Sequence, residues 1–166
     1  MDIISHGLWG GIAFGRKTKR LFWWSFLIGV APDLLSFGLY SAANILGLVS
    51  GPDWKLGSID PLAFPIAIYK LYNITHSLVI FALVFGLVWF LRRKPFLPIL
   101  AWGLHILVDI PTHSTAFFPT PFLWPISNFT VNGVSWGQPI IFFPDIIFLT
   151  VVYLLWWRSK RLGKTT

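Results

Sequence analysis

The sequence predicts an all-α fold: a polytopic membrane protein of four transmembrane helices plus an N-terminal half-length membrane-embedded helix, in a single domain over residues 1–166. Three observations carry that prediction. Of the 166 residues 55% are hydrophobic and only 11% charged, with mean hydropathy +0.71, a composition that needs lipid as its solvent. Four apolar runs, residues 21–40, 74–91, 95–110 and 139–157, reach or approach the length that crosses a bilayer. The basic residues gather in three short blocks beside those runs: RKTKR from Arg16, RRK from Arg92 and RSKRLGK from Arg158.

Taken in order, residues 2–15 are apolar but too short to span, and their positive charges follow the apolar part, the reverse of a signal peptide. They are expected to run back into the membrane as a half-length helix, packed on the first span through Gly7, Gly10, Gly11 and Gly15, with His6 near mid-bilayer. The first span, 21–40, contains Pro32-Asp33, and the fourth, 139–157, contains Pro144-Asp145; each proline frees a backbone carbonyl and should kink its helix. The third run, 95–110, is short and needs a thinned bilayer or a deep loop. Four spans put all three basic blocks on one side, which the positive-inside rule makes cytoplasmic, so the expected location is the cell (inner) membrane, multi-pass. The long connections, residues 41–73 and 111–138, then lie on the extracytoplasmic side. The second carries Phe117, Phe118, Phe122, Trp124 and Trp136, which suit a lid or rim at headgroup level.

Composition also narrows the chemistry. A net charge of +7 does not point to nucleic acid, because the basic residues flank apolar runs instead of forming a face; membrane lipid is the expected partner. With no cysteine, disulfides and thiolate zinc sites are excluded, and any metal falls to His and Asp. The terminal LGKTT lacks the upstream glycine of a phosphate-binding loop, and there is no GxSxG elbow or Gly-rich dinucleotide loop.

Six ionisable residues, His6, Asp33, His76, His105, Asp109 and Asp145, interrupt stretches otherwise apolar enough to be membrane-embedded, where such groups cost several kcal/mol unless partnered. At 1.5 Å per residue from the nearest basic block they lie roughly 15 to 23 Å up, in one layer. HILVD places His105 and Asp109 at i and i+4, on one helix face, where they can share a cation or bond each other. His113, two residues past Pro111, can turn inward over the layer or outward into water. His76, in NITHS, reads either as a ligand or as part of a helix-capping sequence. An unpaired Asp33 in mid-span calls for a cationic partner, whereas Asp145 fits either a partner for a histidine or a helix-packing hydrogen bond. The metal-ligand candidates are therefore His6, Asp33, His76, His105, Asp109 and His113, for a divalent cation such as zinc, with Asp33 and Asp109 as candidate catalytic bases.

The ordered set SHG, APD, THS, GLHILVDIPTH and PFLWP resembles the bacterial membrane-bound metal-dependent hydrolases, inner-membrane proteins of the DNA-damage-regulated type, over most of the chain up to about Ile126. The resemblance implies a helical membrane protein with a His/Asp metal centre, and more distantly a similarity to zinc-dependent phospholipase C. It carries the family's early His onto His6, its PD onto Pro32 and Asp33, its THS histidine onto His76 and its HxxxD onto His105 and Asp109. The chain departs from the pattern at Leu35, where many members have a second aspartate, and at Leu71 and Tyr72, where they have a His-Arg pair. Those departures bear on a multinuclear cluster and on an arginine clamp for phosphate.

The function expected is metal-dependent hydrolysis of a membrane-proximal or lipid phosphoester. A metal-ion or proton transporter is the alternative, but LFWWSFLIG and ALVFGLVWFL leave the basic-side halves of the spans almost wholly apolar. A non-catalytic scaffold with a structural His/Asp site is the third, favoured if protein donors saturate the metal.

Overall fold

Two helices folded against each other at the N-terminus form the densest contact in the molecule, and the rest is assembled on them. The computed structural model describes residues 1–51 and 64–162, and every regular element among them is a helix. Part of the first long connection and the end of the third basic block lie outside the described residues. Helix α1 (Ile3–Phe14) starts at Asp2, whose carboxylate accepts hydrogen bonds from the Ile4 and Ser5 amides. Thr18 caps α2 (Lys19–Asp33) in the same way. The predicted hairpin forms, and its closeness depends on glycine. A Cβ on Gly10 would lie 2.8 Å from both the Ser25 carbonyl oxygen and the Ala101 Cβ, so α1, α2 and α6 (Leu100–Thr112) meet there without room for a methyl.

Pro32 does not end the first long helix. A π-helical turn, Leu34–Gly38, follows it and the chain continues as α3 (Leu39–Ile45), with the Ser36 hydroxyl donating to the Pro32 carbonyl at 2.8 Å. Lys19–Ile45 is thus 27 residues, or about 40 Å of rise. The second predicted run, 74–91, forms one helix from Leu78 onward, and a separate helix precedes that one. Helix α4 (Ile66–Thr75) and α5 (Leu78–Arg92) meet at 56° across His76-Ser77, where Ser77 accepts from the Ile80 amide and donates to the Trp124 carbonyl. A short 3₁₀ turn, Leu97–Ile99, leads into α6. The last helix, α7 (Pro139–Leu162), is 24 residues long and buries only Leu149.

Two predictions about these elements are corrected. Four spans were expected; two helices, Lys19–Ile45 and Pro139–Leu162, are long and apolar enough to cross a membrane, or three if the bent α4–α5 pair counts as one span. The third run falls short because the 3₁₀ turn gives it three residues and α6 thirteen, roughly 24 Å against a hydrocarbon core of about 30 Å. Residues 41–73 were expected as a loop, yet α3 takes up its start and α4 its end. Helix α4 forms because Ile68, Tyr72 and Thr75 share one face and bury it against the π turn and the second connection.

The three basic blocks gather at one end. Arg16 and Lys17 share a surface depression with Pro95–Pro98, which follow Arg92–Lys94 directly, and Trp156, two residues before Arg158, stacks on Phe22 at 5.7 Å. At the opposite end Phe37, Tyr40, Phe64, Tyr72 and Phe118 pack as an aromatic core. The second connection is tied to the end of α6 by backbone bonds from Gly133 to His113, Val134 to Pro111 and Trp136 to Thr112.

Candidate metal centre

Four residues from three parts of the fold converge between these two ends. Asp33 closes α2, His76 sits in the α4–α5 break, and His105 and Asp109 share a face of α6. One donor atom from each lies within 4.8 Å of the other three, and all four residues are buried. The helix break matters for His76: because Ser77 caps α5, the chain turns here and sends the imidazole inward.

Both imidazoles are oriented by backbone carbonyls. His105 Nδ1 lies 2.8 Å from the Gly29 carbonyl oxygen, and His76 Nδ1 lies 3.2 Å from that of Tyr72 and 3.0 Å from Thr75 Oγ1, whose own proton goes to Leu71. A carbonyl only accepts, so each Nδ1 carries the hydrogen and each Nε2 presents a lone pair. The ring of Tyr72 stacks on His76 at 3.9 Å and holds it from behind.

The two Nε2 atoms face each other at 3.1 Å. His105 Nε2 is 3.1 Å from Asp109 Oδ2 and 3.7 Å from Asp33 Oδ1, and His76 Nε2 is 3.6 Å and 3.4 Å from the same atoms. Asp109 Oδ2 is buried without a hydrogen-bond donor. Lone pairs aimed at one another around an orphaned carboxylate oxygen are the pattern a cation completes. Five of the six donor–donor separations, at 3.1–3.7 Å, lie near the edge of about 3.3 Å of a tetrahedral ion with ligands at 2.0–2.1 Å, and the sixth, between the two carboxylates, is within 4.8 Å. Asp33, His76, His105 and Asp109 therefore form a buried group that could hold a metal ion.

The other predicted residues fall outside that group. His6 stacks on His105 at 3.7 Å and brings its Nε2 to 2.9 Å from Asp109 Oδ1, close enough for an ion pair but not aligned for a hydrogen bond. His113 turns inward, with Nδ1 3.4 Å from the same oxygen, and the Met1 amino group lies 2.6 Å from it. Asp109 thus presents one oxygen to the four-donor group and the other to this outer ring. Asp145 is elsewhere, accepting from Trp9 Nε1 at 2.7 Å across the α1–α7 contact, the helix-packing alternative. Sequence reasoning missed Tyr72, although its spacing of four from His76 on a helix was the available signal.

A cavity of about 640 Å³ opens on the side away from the basic blocks, lined among others by Asp33, Phe37, His113, Phe117, Phe118 and Trp136. Asp33 is the only member of the four whose side chain reaches it, 12% exposed against zero for the other three. Phe117, Phe118 and Trp136 of the predicted rim form its wall; Trp124 instead accepts the Ser77 hydroxyl through its carbonyl, and Phe122 packs on Phe129. No family model, characterised protein or solved structure matches the chain.

Proposed function

We propose that the protein is a multi-pass inner-membrane metal-dependent hydrolase acting on a membrane-proximal phosphoester, with its basic end cytoplasmic and its cavity open toward the outer leaflet. The observation that carries this reading is the meeting of an apolar cavity with a buried four-donor group at one carboxylate, Asp33. His76, His105 and Asp109 would hold a divalent cation, zinc by the donor set and spacing, and Asp33 faces the substrate side. A cation bound there supplies Lewis acidity and lowers the pKa of a bound water to about 7. Asp33 would take a proton from the attacking water, because Asp109 would give Oδ2 to the cation and already faces the Met1 amino group with Oδ1. The close packing of Gly10 on Ser25 and Ala101 lies on the basic side of the group, which argues against a conducting path through the protein.

One observation favours a second reading. Four protein donors, all within 4.8 Å of one another, match a closed structural site, with Asp33 as the fourth ligand and no position for water. Substitution Asp33→Asn separates the two. The hydrolase reading expects metal to stay bound and release of phosphorylated headgroup from phosphatidylethanolamine–phosphatidylglycerol vesicles to fall on the order of 10²-fold or more. Loss of the metal in Asp33→Asn, with no turnover by the zinc-loaded wild type, establishes the structural reading in its place.

A further inference from the structure

Resting on the hydrolase reading, the lining of the cavity narrows the substrate. Ile3, Ile4, Phe37, Phe64, Phe117 and Phe118 give it walls suited to hydrocarbon. Among the described residues no Lys or Arg side chain lines it, and those groups cluster at the opposite end, apart from exposed Lys70. Among the described residues its acidic groups are Asp2, occupied in capping α1, and Asp33. The charge balance at the inner end is therefore set by very few groups. Asp33 and Asp109 already match one divalent cation, so an incoming phosphoester brings charge with little to offset it. With the Met1 amino group counted, a singly charged anion balances the site; without it, a singly charged anion leaves the smaller excess. With the imidazoles of His6 and His113 counted as neutral, a doubly charged one exceeds the balance in both cases, in surroundings too apolar to screen it.

We infer that the cavity seats the hydrocarbon arm of a singly charged phosphodiester and rejects the corresponding phosphomonoester. Asp33, where cavity and donor group meet, fixes where the arm ends and the phosphate begins. Phe117, 37% exposed on the wall, is a position from which an introduced lysine can bring a positive charge into the cavity.

The chain has no cysteine, so Ser41→Cys, on the cavity wall and outside the donor group, places its only thiol there. The labelling rate of that thiol in zinc-loaded protein is read at about pH 8, above the second pKa of a phosphomonoester, ~6, with octyl methyl phosphate, octyl phosphate or dimethyl phosphate present. Octyl methyl phosphate should slow labelling about tenfold at a concentration where the other two have no effect. Equal protection by octyl phosphate overturns the charge selection; equal protection by dimethyl phosphate, or none by octyl methyl phosphate, overturns the hydrocarbon seat. Adding Phe117→Lys supplies the missing counter-charge and should let octyl phosphate protect, and its failure to do so also counts against the charge selection. Parallel measurement of diester cleavage keeps the two readings apart. Protection without cleavage leaves the seat and removes the hydrolase, whereas cleavage without protection does the reverse.

Discussion

Gly29→Ala should damage the fold and the metal centre together, because one glycine serves both. Its missing side chain lets α1 approach α2, and its carbonyl orients His105 at 2.8 Å. A Cβ built there lies 2.7 Å from the His6 carbonyl oxygen and 3.3 Å from Gly7 Cα, both backbone, so no side chain can swing aside. Reaching the 3.4 Å where ordinary contact begins requires α1 to retreat by 0.7 Å, the difference between the two distances. Overpacking of this kind costs about 1–3 kcal/mol. The retreat also moves His6 off the ring of His105 and disturbs a ligand-orienting carbonyl, for which a 10–100-fold loss of metal affinity is typical. Thermal unfolding in detergent and zinc titration measure the two effects. Gly86→Ala is the control: nothing lies within 4 Å of a Cβ there, in the middle of α5, so it should stabilise by about 0.5–1 kcal/mol and leave zinc affinity unchanged. A Gly29→Ala protein with wild-type stability and zinc affinity, or a Gly86→Ala protein equally impaired, would refute the packing account.

Two further outcomes follow from the same geometry. Asp145→Asn weakens the charge-assisted bond from Trp9, so unfolding should ease by about 1–2 kcal/mol with metal content unchanged; a parallel loss of metal would place Asp145 in the centre after all. Single cysteines at Arg93 and Ser127, at the basic end and in the second long connection, should label from opposite faces of sealed vesicles, and labelling from one face contradicts a transmembrane arrangement.

Residues whose grouping depends on local spacing were legible in the sequence. His105 and Asp109 follow from one helical turn, and His6 from the glycines that fold α1 back on α2. Depth alone was a weaker guide. Counting from the basic blocks puts Asp145 at a depth similar to Asp33, but depth is one coordinate of three, and α7 packs on α1 and on Phe22 of α2, with Trp9 of α1 taking the carboxylate. His76 was ambiguous because capping and coordination both fit THS; the structure gives the cap to Ser77 and the inward position to His76. Helix α4 was hidden in a proline-rich connection, although Pro65 and the spacing of Ile68, Tyr72 and Thr75 marked it. The span count failed because hydropathy measures how apolar a run is, not where Pro95 and Pro98 delay the start of its helix.

The central claim is that imidazoles and carboxylates from separate helices share a cation inside the bundle. Metal analysis of purified, metal-replete protein tests it most directly, comparing the wild type with His105→Ala and Asp109→Ala and using Asp145→Asn as a folded control. The account predicts a stoichiometric divalent metal in the wild type and the control, lost in both ligand variants. A wild type without bound metal, or a content unchanged in His105→Ala and Asp109→Ala, would contradict it.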